Sequence, residues 1–401
     1  MTPKKGFTDL KNDVIDTGLC TACGTCVGVC TAQAISIDYD TDEAEPVSTG
    51  KCIECGMCYD VCPGKNIPLP QLDKEFLGKE RDFEKDYVGI YKYCGRGYSK
   101  DDDIRSTASS GGMVSSILIS ALEQGMIDAA ILSRWRKDKP WRSEPFIATN
   151  RDEVMRALRT GLMIVPNNAL LYEAVYKRKY EKIAVVGCPC HIHGLRLLQH
   201  YKKPKKIAES IKLMIGLFCA ACYYWEGTKH LLQEFGKIKD IESIKAMDYR
   251  GGPYPGGMEA LTEDGKIISV AGKHDYTWHF LGPASYKRDR CLMCVDFSAE
   301  SADISCGDIF QDLGFKNNRW VATLIRTDVG EEMVKAAVDK NYIHIEEHDA
   351  KLIPASGMGW ESKKHASVYR LLQRKRYGWP VPDYGYKLSE NALPRDLKFP
   401  K

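Results

Sequence analysis

The chain has 401 residues, 44% hydrophobic and 28% charged, the balance of a globular protein with room for two domains. Lys and Arg number 57 against 54 Asp and Glu, and a net charge of +3 gives no reason to expect nucleic acid or an anionic membrane as the main partner. No run reaches the roughly 20 apolar residues that span a bilayer, and the opening MTPKKGFTDLKNDVIDTG lacks the apolar stretch of a secretory signal, so a cytoplasmic protein is expected.

Sixteen cysteines dominate the remaining signal. Their clustering, without an export signal, points to metal ligation rather than disulfides. Cys20, Cys23, Cys26 and Cys30 form a C-x2-C-x2-C-x3-C ladder, repeated as Cys52, Cys55, Cys58 and Cys62 and followed by Pro63. In this bacterial ferredoxin pattern each ladder gives three thiolates to one 4Fe–4S cluster and its last to the other. Cys20, Cys23, Cys26 and Cys62 are therefore expected around one cluster, and Cys52, Cys55, Cys58 and Cys30 around the second. Thr31 stands where the first ladder would have its proline, which alters the turn and not the ligands. A pair of zinc knuckles is the competing account; the third closely spaced cysteine, twice over, is surplus to it. Ala34 to Ile37 alternates as a strand. So small a unit buries little apolar surface, and bound clusters contribute to its stability.

Pro63, Gly64, Pro68 and Pro70 then lead into a charged stretch, Lys74 to Lys85, that reads as a linker or a solvated helix. Beyond it strand and helix alternate. Met113, Val114, Ile117, Leu118, Ala121 and Leu122 share one helical face ending at Gly125, and IDAAILS follows as a strand. Ile183 to Val186 is a β-branched run stopping at Gly187, and HIHGLRLLQHY after it reads as helix. KLMIGLF and WVATLIR complete the strands, with a helix after Gly330. The expected fold is α/β: a small ferredoxin-like two-cluster domain, residues 1–72, then an α/β domain with a largely parallel sheet, residues 86–345, and a C-terminal extension, residues 346–401.

Ligands in such sheets sit beyond the carboxyl ends of the strands. There the sequence places Cys188 and Cys190 after one strand and Cys219 and Cys222 after the next; Cys291, Cys294 and Cys306 follow. A third cluster drawing on these thiols is expected, against buried unligated thiols or a redox disulfide at Cys219 and Cys222. Cys94 reads as packing. Ser109, Ser110, Gly111 and Gly112 open a helix and leave backbone N–H groups open to a phosphate, although such a loop is also an ordinary cap. No G-x-G-x-x-G follows a strand, and no C-x-x-C-H occurs. At the C-terminus KKHASVYRLLQRKRY reads as a basic, solvated surface helix or a subunit contact, ended by the extended WPVP.

Five ordered segments carry a family resemblance: YVGIYKY from Tyr87, SSGGMVSSILISALEQGMIDAAI from Ser109, VVGCPCHIHGL from Val185, GLFC ending at Cys219, and RCLMCVDFSAESADISCGDI from Arg290. Over residues 86–345 the chain resembles the coenzyme F420 hydrogenase/dehydrogenase β-subunit family. With ladders in front and an extension behind, it is most similar to the formate dehydrogenase branch. The resemblance implies FAD, a 4Fe–4S cluster beside it (three in all) and coenzyme F420 as hydride partner. Its cluster cysteines match Cys190, Cys219, Cys291 and Cys294; Cys188, Cys222 and Cys306 are additional here. The segments similar to its flavin site hold Ser109, Ser110, Gly111, Gly112, Gly161, Pro166, Gly187, Pro189 and Arg290, while Thr160-Gly161-Leu162 departs from the usual residues. Arg290 with Lys287 and Arg288 would meet anionic groups of FAD or F420, or act as exposed solubilising charge.

Clusters pass one electron at a time whereas a deazaflavin takes a hydride, so the FAD that the resemblance implies would be the converter between them. The expected activity is electron passage between a partner and coenzyme F420, in either direction. The implied partner is a formate dehydrogenase α subunit carrying a molybdopterin. Alternatives are an electron-input subunit oxidising reduced F420 for heterodisulfide reductase or a membrane oxidoreductase, a non-enzymatic polyferredoxin that docks partners, and a flavoprotein reductase of carbon–carbon double bonds like the plant chlorophyll reductases of similar fold.

Overall fold

The computed structural model describes residues 5–39, 41, 44–83, 85–159, 161–252, 256–273, 275–276, 284–309, 319–353 and 358–388. Each cysteine ladder wraps a short helix, Thr25–Gly28 in the first and Met57–Asp60 in the second. Between them β1 (Ile35–Ile37) and β2 (Pro46–Ser48) pair antiparallel, with Ile35 buried.

The central sheet has eight strands. They are β3 (Tyr93–Ser99), β4 (Ala129–Trp135), β5 (Ser143–Ala148), β6 (Ile183–Gly187), β7 (Ile211–Leu217) and, after a separate antiparallel sheet of β8 (Ile244–Gly251), β9 (Gly257–Thr262) and β10 (Ile267–Gly272), also β11 (Ile304–Asp308), β12 (Val321–Ile325) and β13 (Ile343–Glu347). Their spatial order is β13-β3-β12-β11-β7-β6-β4-β5. The central four, β11, β7, β6 and β4, run parallel, as the alternation of strand and helix predicts; antiparallel strands extend both edges. The β6 sequence IAVVG is buried throughout because a central parallel strand is covered on both faces.

Alternation along β6 divides the core. Ala184 and Val186 face the side where Ile117, Leu118, Met333 and Val334 of helices Met113–Glu123 and Asp328–Asp339 pack. Ile183 and Val185 face the other side, with Ile192, Leu195 and Leu198 of helix Pro189–Tyr201. That second core is continuous with the ferredoxin unit: Phe7, Leu10, Val29, Val61 and Ile67 belong to the same buried cluster.

Close backbone approach makes this union possible. A Cβ on Gly28 would collide with the carbonyl of Asn168, and one on Gly24, whose φ is +81°, would lie 2.7 Å from the carbonyl of Pro166. Gly28→Ala is expected to destabilise the chain by about 1–3 kcal/mol, the usual cost of overpacking. Anaerobic denaturant unfolding followed by the visible cluster absorbance measures it; an unchanged midpoint would show that the seam can yield.

The surface expectations hold in part. The charged residues of Lys74–Lys85 are mostly exposed, on and after helix Leu69–Phe76, but Arg81 is buried between Asp73 and Glu300. The basic C-terminal segment is helical over Met358–Arg376 and buries Lys363, Val368 and Leu371 within its own chain. The tail beyond it returns to the ferredoxin unit, where the amide of Ile67 donates to the carbonyl of Asp383 at 2.7 Å.

Candidate metal centres and redox site

The two ladders build the same cage twice. Ala22 and Gly24 in the first, and Glu54 and Gly56 in the second, take left-handed φ values of 49°, 81°, 51° and 85°. These reversals turn successive cysteines inward. Backbone amides then donate to the first and last sulfurs of each ladder: Ala22 to Cys20 at 3.3 Å, Ala34 to Cys30 at 3.2 Å, Glu54 to Cys52 at 3.4 Å and Gly64 to Cys62 at 3.4 Å. N–H···S bonds of this kind tune cluster potentials.

One cavity is lined by Cys20, Cys23, Cys26 and Cys62, the other by Cys30, Cys52, Cys55 and Cys58. The last thiol of each ladder crosses to the other cage, as the spacing predicts. Burial pushes the Cys20 and Cys58 thiols up to about 12. Four thiols converging on one hollow, protonated until a metal displaces their protons, fit a cysteine-ligated cluster. The cages differ in exposure. Cys20, Cys23 and Cys26 are buried, whereas Cys52 is exposed beside Ile53.

A third thiol group lies where the parallel strands end. Cys188 caps helix Pro189–Tyr201 directly after β6, Cys219 follows β7, and Cys222 comes shortly after it in the same irregular segment. Their sulfurs lie within 4.8 Å of one another, and the amide of Cys222 donates to the sulfur of Cys291 at 3.5 Å. Donation from Cys222 and the nearby Lys363 ammonium bring Cys291 down to about 6 against its burial. Cys188 and Cys222 donate toward Cys219 and hold its thiol well below the usual range. Of the expected set, Cys219 and Cys291 thus join Cys188 and Cys222. Cys190 stands on the first helical turn, 3.9 Å from His191 Nδ1, and Cys294 donates to the carbonyl of Asp296 at 3.4 Å. Cys306 and Cys94 are buried in β11 and β3; Cys306 lies 3.9 Å from Thr323 Oγ1.

The first cage and the third group are neighbours. The backbone amide of Arg288 donates to the carbonyl of Cys222 at 3.4 Å while its guanidinium donates to the carbonyl of Cys20 at 3.4 Å. Cys190 lies within electrostatic reach of both Cys23 and Cys188. The side chain of Asn168 donates to Thr25 Oγ1 at 2.9 Å and to the carbonyl of His191 at 3.0 Å, tying the ferredoxin helix to the helix after β6.

The other expected residues divide between two places. Gly187 and Pro189 flank Cys188; a Cβ on Gly187 would lie 2.5 Å from the His191 side chain. Pro166 packs on Gly24. Arg290 is buried, with its guanidinium donating to Tyr384 Oη at 2.9 Å and to the carbonyl of Pro63 at 3.1 Å, contacts that tie it to the ferredoxin unit and the C-terminal tail. Arg288 is buried likewise, and neither is a solubilising surface charge.

Ser109 to Gly112 lie elsewhere, ahead of helix Met113–Glu123, with Gly112 at φ +78°. Ser110 donates to the carbonyl of Trp320 at 3.3 Å and approaches Asp308 at the end of β11. Asp308 also accepts from Arg250 at 2.7 Å and from Lys273 at 3.0 Å. Burial raises its carboxyl, but the two cations outweigh that and hold it at about 2. Gly161 lies by Ser143, and Thr160 falls outside the described residues. Arg250 and Lys273 lie outside every motif of the sequence, and Asp308, although inside the segment that begins at Arg290, carried no signal of its own there.

Two cysteine cages of ferredoxin pattern, joined through one core to a thiol group at the strand ends of an α/β sheet, define an iron–sulfur redox protein. Comparison with known families agrees and is more specific. The model described as Coenzyme F420 hydrogenase/dehydrogenase, beta subunit N-term matches residues 94–172, its C-terminal counterpart matches 180–351, and a 4Fe-4S dicluster domain matches 12–63. The chain belongs to the coenzyme F420 hydrogenase/dehydrogenase β-subunit family and is an iron–sulfur subunit of F420-linked oxidoreductase type. It is 28% identical to the coenzyme F420 hydrogenase subunit beta of Methanosarcina barkeri over 64% of this chain and 81% of that one. To the coenzyme F420-dependent sulfite reductase of Methanocaldococcus jannaschii it is 29% identical over 84% of its length and 48% of the relative's. An F(420)H(2) dehydrogenase component of Methanosarcina mazei is also 29% identical, over 80% of this chain and 82% of that one. A chain from the solved F420-reducing NiFe hydrogenase complex of Methanosarcina barkeri shares the fold, with a TM-score of 0.59 and 24% identity over 74% of this chain and 97% of that one. No helix among the described residues is long and apolar enough to cross a membrane.

Proposed function

We propose that the chain passes electrons between a partner subunit and coenzyme F420 through three 4Fe–4S clusters and FAD. The observation that carries this is Arg288, which hydrogen-bonds the third thiol group with its backbone and the first cage with its side chain. A continuous relay needs adjacent centres, and the exposed second cage offers an entry point at the surface. Cys188, Cys219, Cys222 and Cys291 would hold the third cluster, with Cys190 and Cys294 as flanking thiols. When bound, FAD would supply the change from single electrons to a hydride. The Ser109–Gly112 loop with its open amides, next to the cations around Asp308, is the segment best suited to its phosphates.

For the partner, a formate dehydrogenase α subunit carrying a molybdopterin remains our reading, supported by the ferredoxin unit in front of the family core and the extension behind it. Oxidation of reduced F420 to feed a heterodisulfide reductase or membrane oxidoreductase is the second reading, favoured by the likeness to a dehydrogenase component whose name specifies F(420)H(2). Anaerobic purification tests the core of the proposal. About twelve iron and twelve acid-labile sulfide per chain, with about one FAD, are expected. Zinc in place of iron would sink it. A flavin-free, iron-loaded chain that leaves F420 unchanged would leave a polyferredoxin, and the co-purifying subunit decides between the partners.

A further inference from the structure

The helical segment Met358–Arg376 lies outside the spans matched by the family models, which end at residue 351. It is fixed on several sides. Lys364 pairs with buried Glu300 at 2.5 Å, Val368 and Leu371 are buried, and Tyr384 on the following tail donates to the carbonyl of Met293 at 2.8 Å. This anchoring drives Lys363 inward until only 2% of it is exposed, with its Nζ donating to the carbonyl of Cys291 at 2.7 Å.

A buried lysine ordinarily sheds its proton, because the charged form is poorly solvated there. No carboxylate pairs with Lys363 among the described residues. The groups beside it are thiols instead: its Nζ sits on the carbonyl of Cys291, whose sulfur accepts from the Cys222 amide at 3.5 Å, and thiolates holding a cluster would supply the negative charge that keeps an ammonium in place. The segment therefore delivers one fixed positive charge to the rim of the third thiol group. A cluster gains one negative charge on reduction, and a fixed cation beside it favours that state; net charge and nearby donors are the recognised levers on such potentials.

We propose that Lys363 is a positioning residue that raises the reduction potential of the third centre, so that electrons collect there before reaching the hydride acceptor. This rests on the reading of the third thiol group as a cluster site.

The test uses the full chain, purified anaerobically as wild type, Lys363→Gln, Lys363→Met and Lys363→Arg. Iron and sulfide are counted, and each protein is titrated with dithionite under EPR, with Cys222→Ser identifying the third centre's signal. In the Gln and Met variants the reduction equilibrium of the third centre should fall by roughly tenfold or more, about 59 mV for a one-electron couple. Lys363→Arg should restore the wild-type midpoint, and the two ferredoxin-site midpoints should stay in place. Equal midpoints in wild type and Lys363→Gln at full iron content would overturn the proposal, as would a fall in Lys363→Arg as large as in Lys363→Gln. If the uncharged variants shed the third centre while Lys363→Arg keeps it at the wild-type potential, charge at this position is upheld; shedding by Lys363→Arg as well overturns it. About eight iron per wild-type chain with no third signal would instead remove the cluster reading beneath the proposal.

Discussion

Cys222→Ser should lose about four of twelve iron atoms per chain and the F420 activity with them, while both ferredoxin-site clusters remain. The reason is position. Cys222 has its sulfur within 4.8 Å of those of Cys188 and Cys219, and its amide reaches the sulfur of Cys291. A serine oxygen is a hard donor where iron–sulfur sites select soft thiolates. Cys294→Ser distinguishes this ligand set from the one implied by resemblance. Cys294 spends its thiol on the carbonyl of Asp296, so its replacement should preserve the iron count. Cys306→Ser, buried in β11 beside Thr323, should be silent in the same assay. Iron and sulfide analysis with EPR reads all three variants. Loss of iron from Cys294→Ser, with a full count in Cys222→Ser, would assign the cluster to Cys190, Cys219, Cys291 and Cys294 instead.

That distinction also marks where the sequence stops being legible. The cages could be read from spacing because ligand and turn repeat within eleven residues, and crossing of the last thiol follows from cluster geometry. The parallel centre could be read from IAVVG and KLMIGLF, since strands covered on both faces carry apolar side chains throughout. The choice between Cys188 and Cys190 was not readable. Both flank Pro189, and only the local backbone separates them: Cys188 is the extended residue that caps the helix, with its sulfur within 4.8 Å of those of Cys219 and Cys222, while Cys190 stands on the first helical turn. Lys363 was hidden for a similar reason. A basic amphipathic helix announces a buried stripe but not which lysine is forced inside it by tertiary anchors such as Lys364 on Glu300. The Asp308 cluster gathers Ser110, Arg250 and Lys273 from three distant stretches, so no local pattern records it.

Arg81→Met should be among the most destabilising single changes in the chain, at about 3–5 kcal/mol, a large share of the roughly 5–15 kcal/mol that holds a typical native state. Arg81 and both its carboxylate partners are fully buried. Its guanidinium takes Asp73 with two nitrogens, one of them at 2.7 Å, and Glu300 with the third. Removing the arginine strands the carboxylate of Asp73 without its cation and leaves Glu300 to Lys364 alone. Burial already raises the Glu300 carboxyl, so losing a neighbouring cation moves it further toward protonation. The fault line would also matter for function. Asp73 lies on the helix after the ferredoxin unit, Glu300 follows the Cys291–Cys294 loop, and Lys364 neighbours Lys363. Loosening that junction should weaken the union between the cages and the third thiol group before the eight-stranded sheet itself melts. Anaerobic thermal unfolding, followed in parallel by cluster absorbance and far-ultraviolet circular dichroism, tests this. The cluster signal should be lost at a lower temperature than the helical signal in Arg81→Met, and Asp73→Asn combined with Arg81→Met should recover part of the loss by removing the stranded charge. Coincident, wild-type-like transitions would show that the buried ions contribute nothing net and that apolar packing alone holds the ferredoxin unit in place.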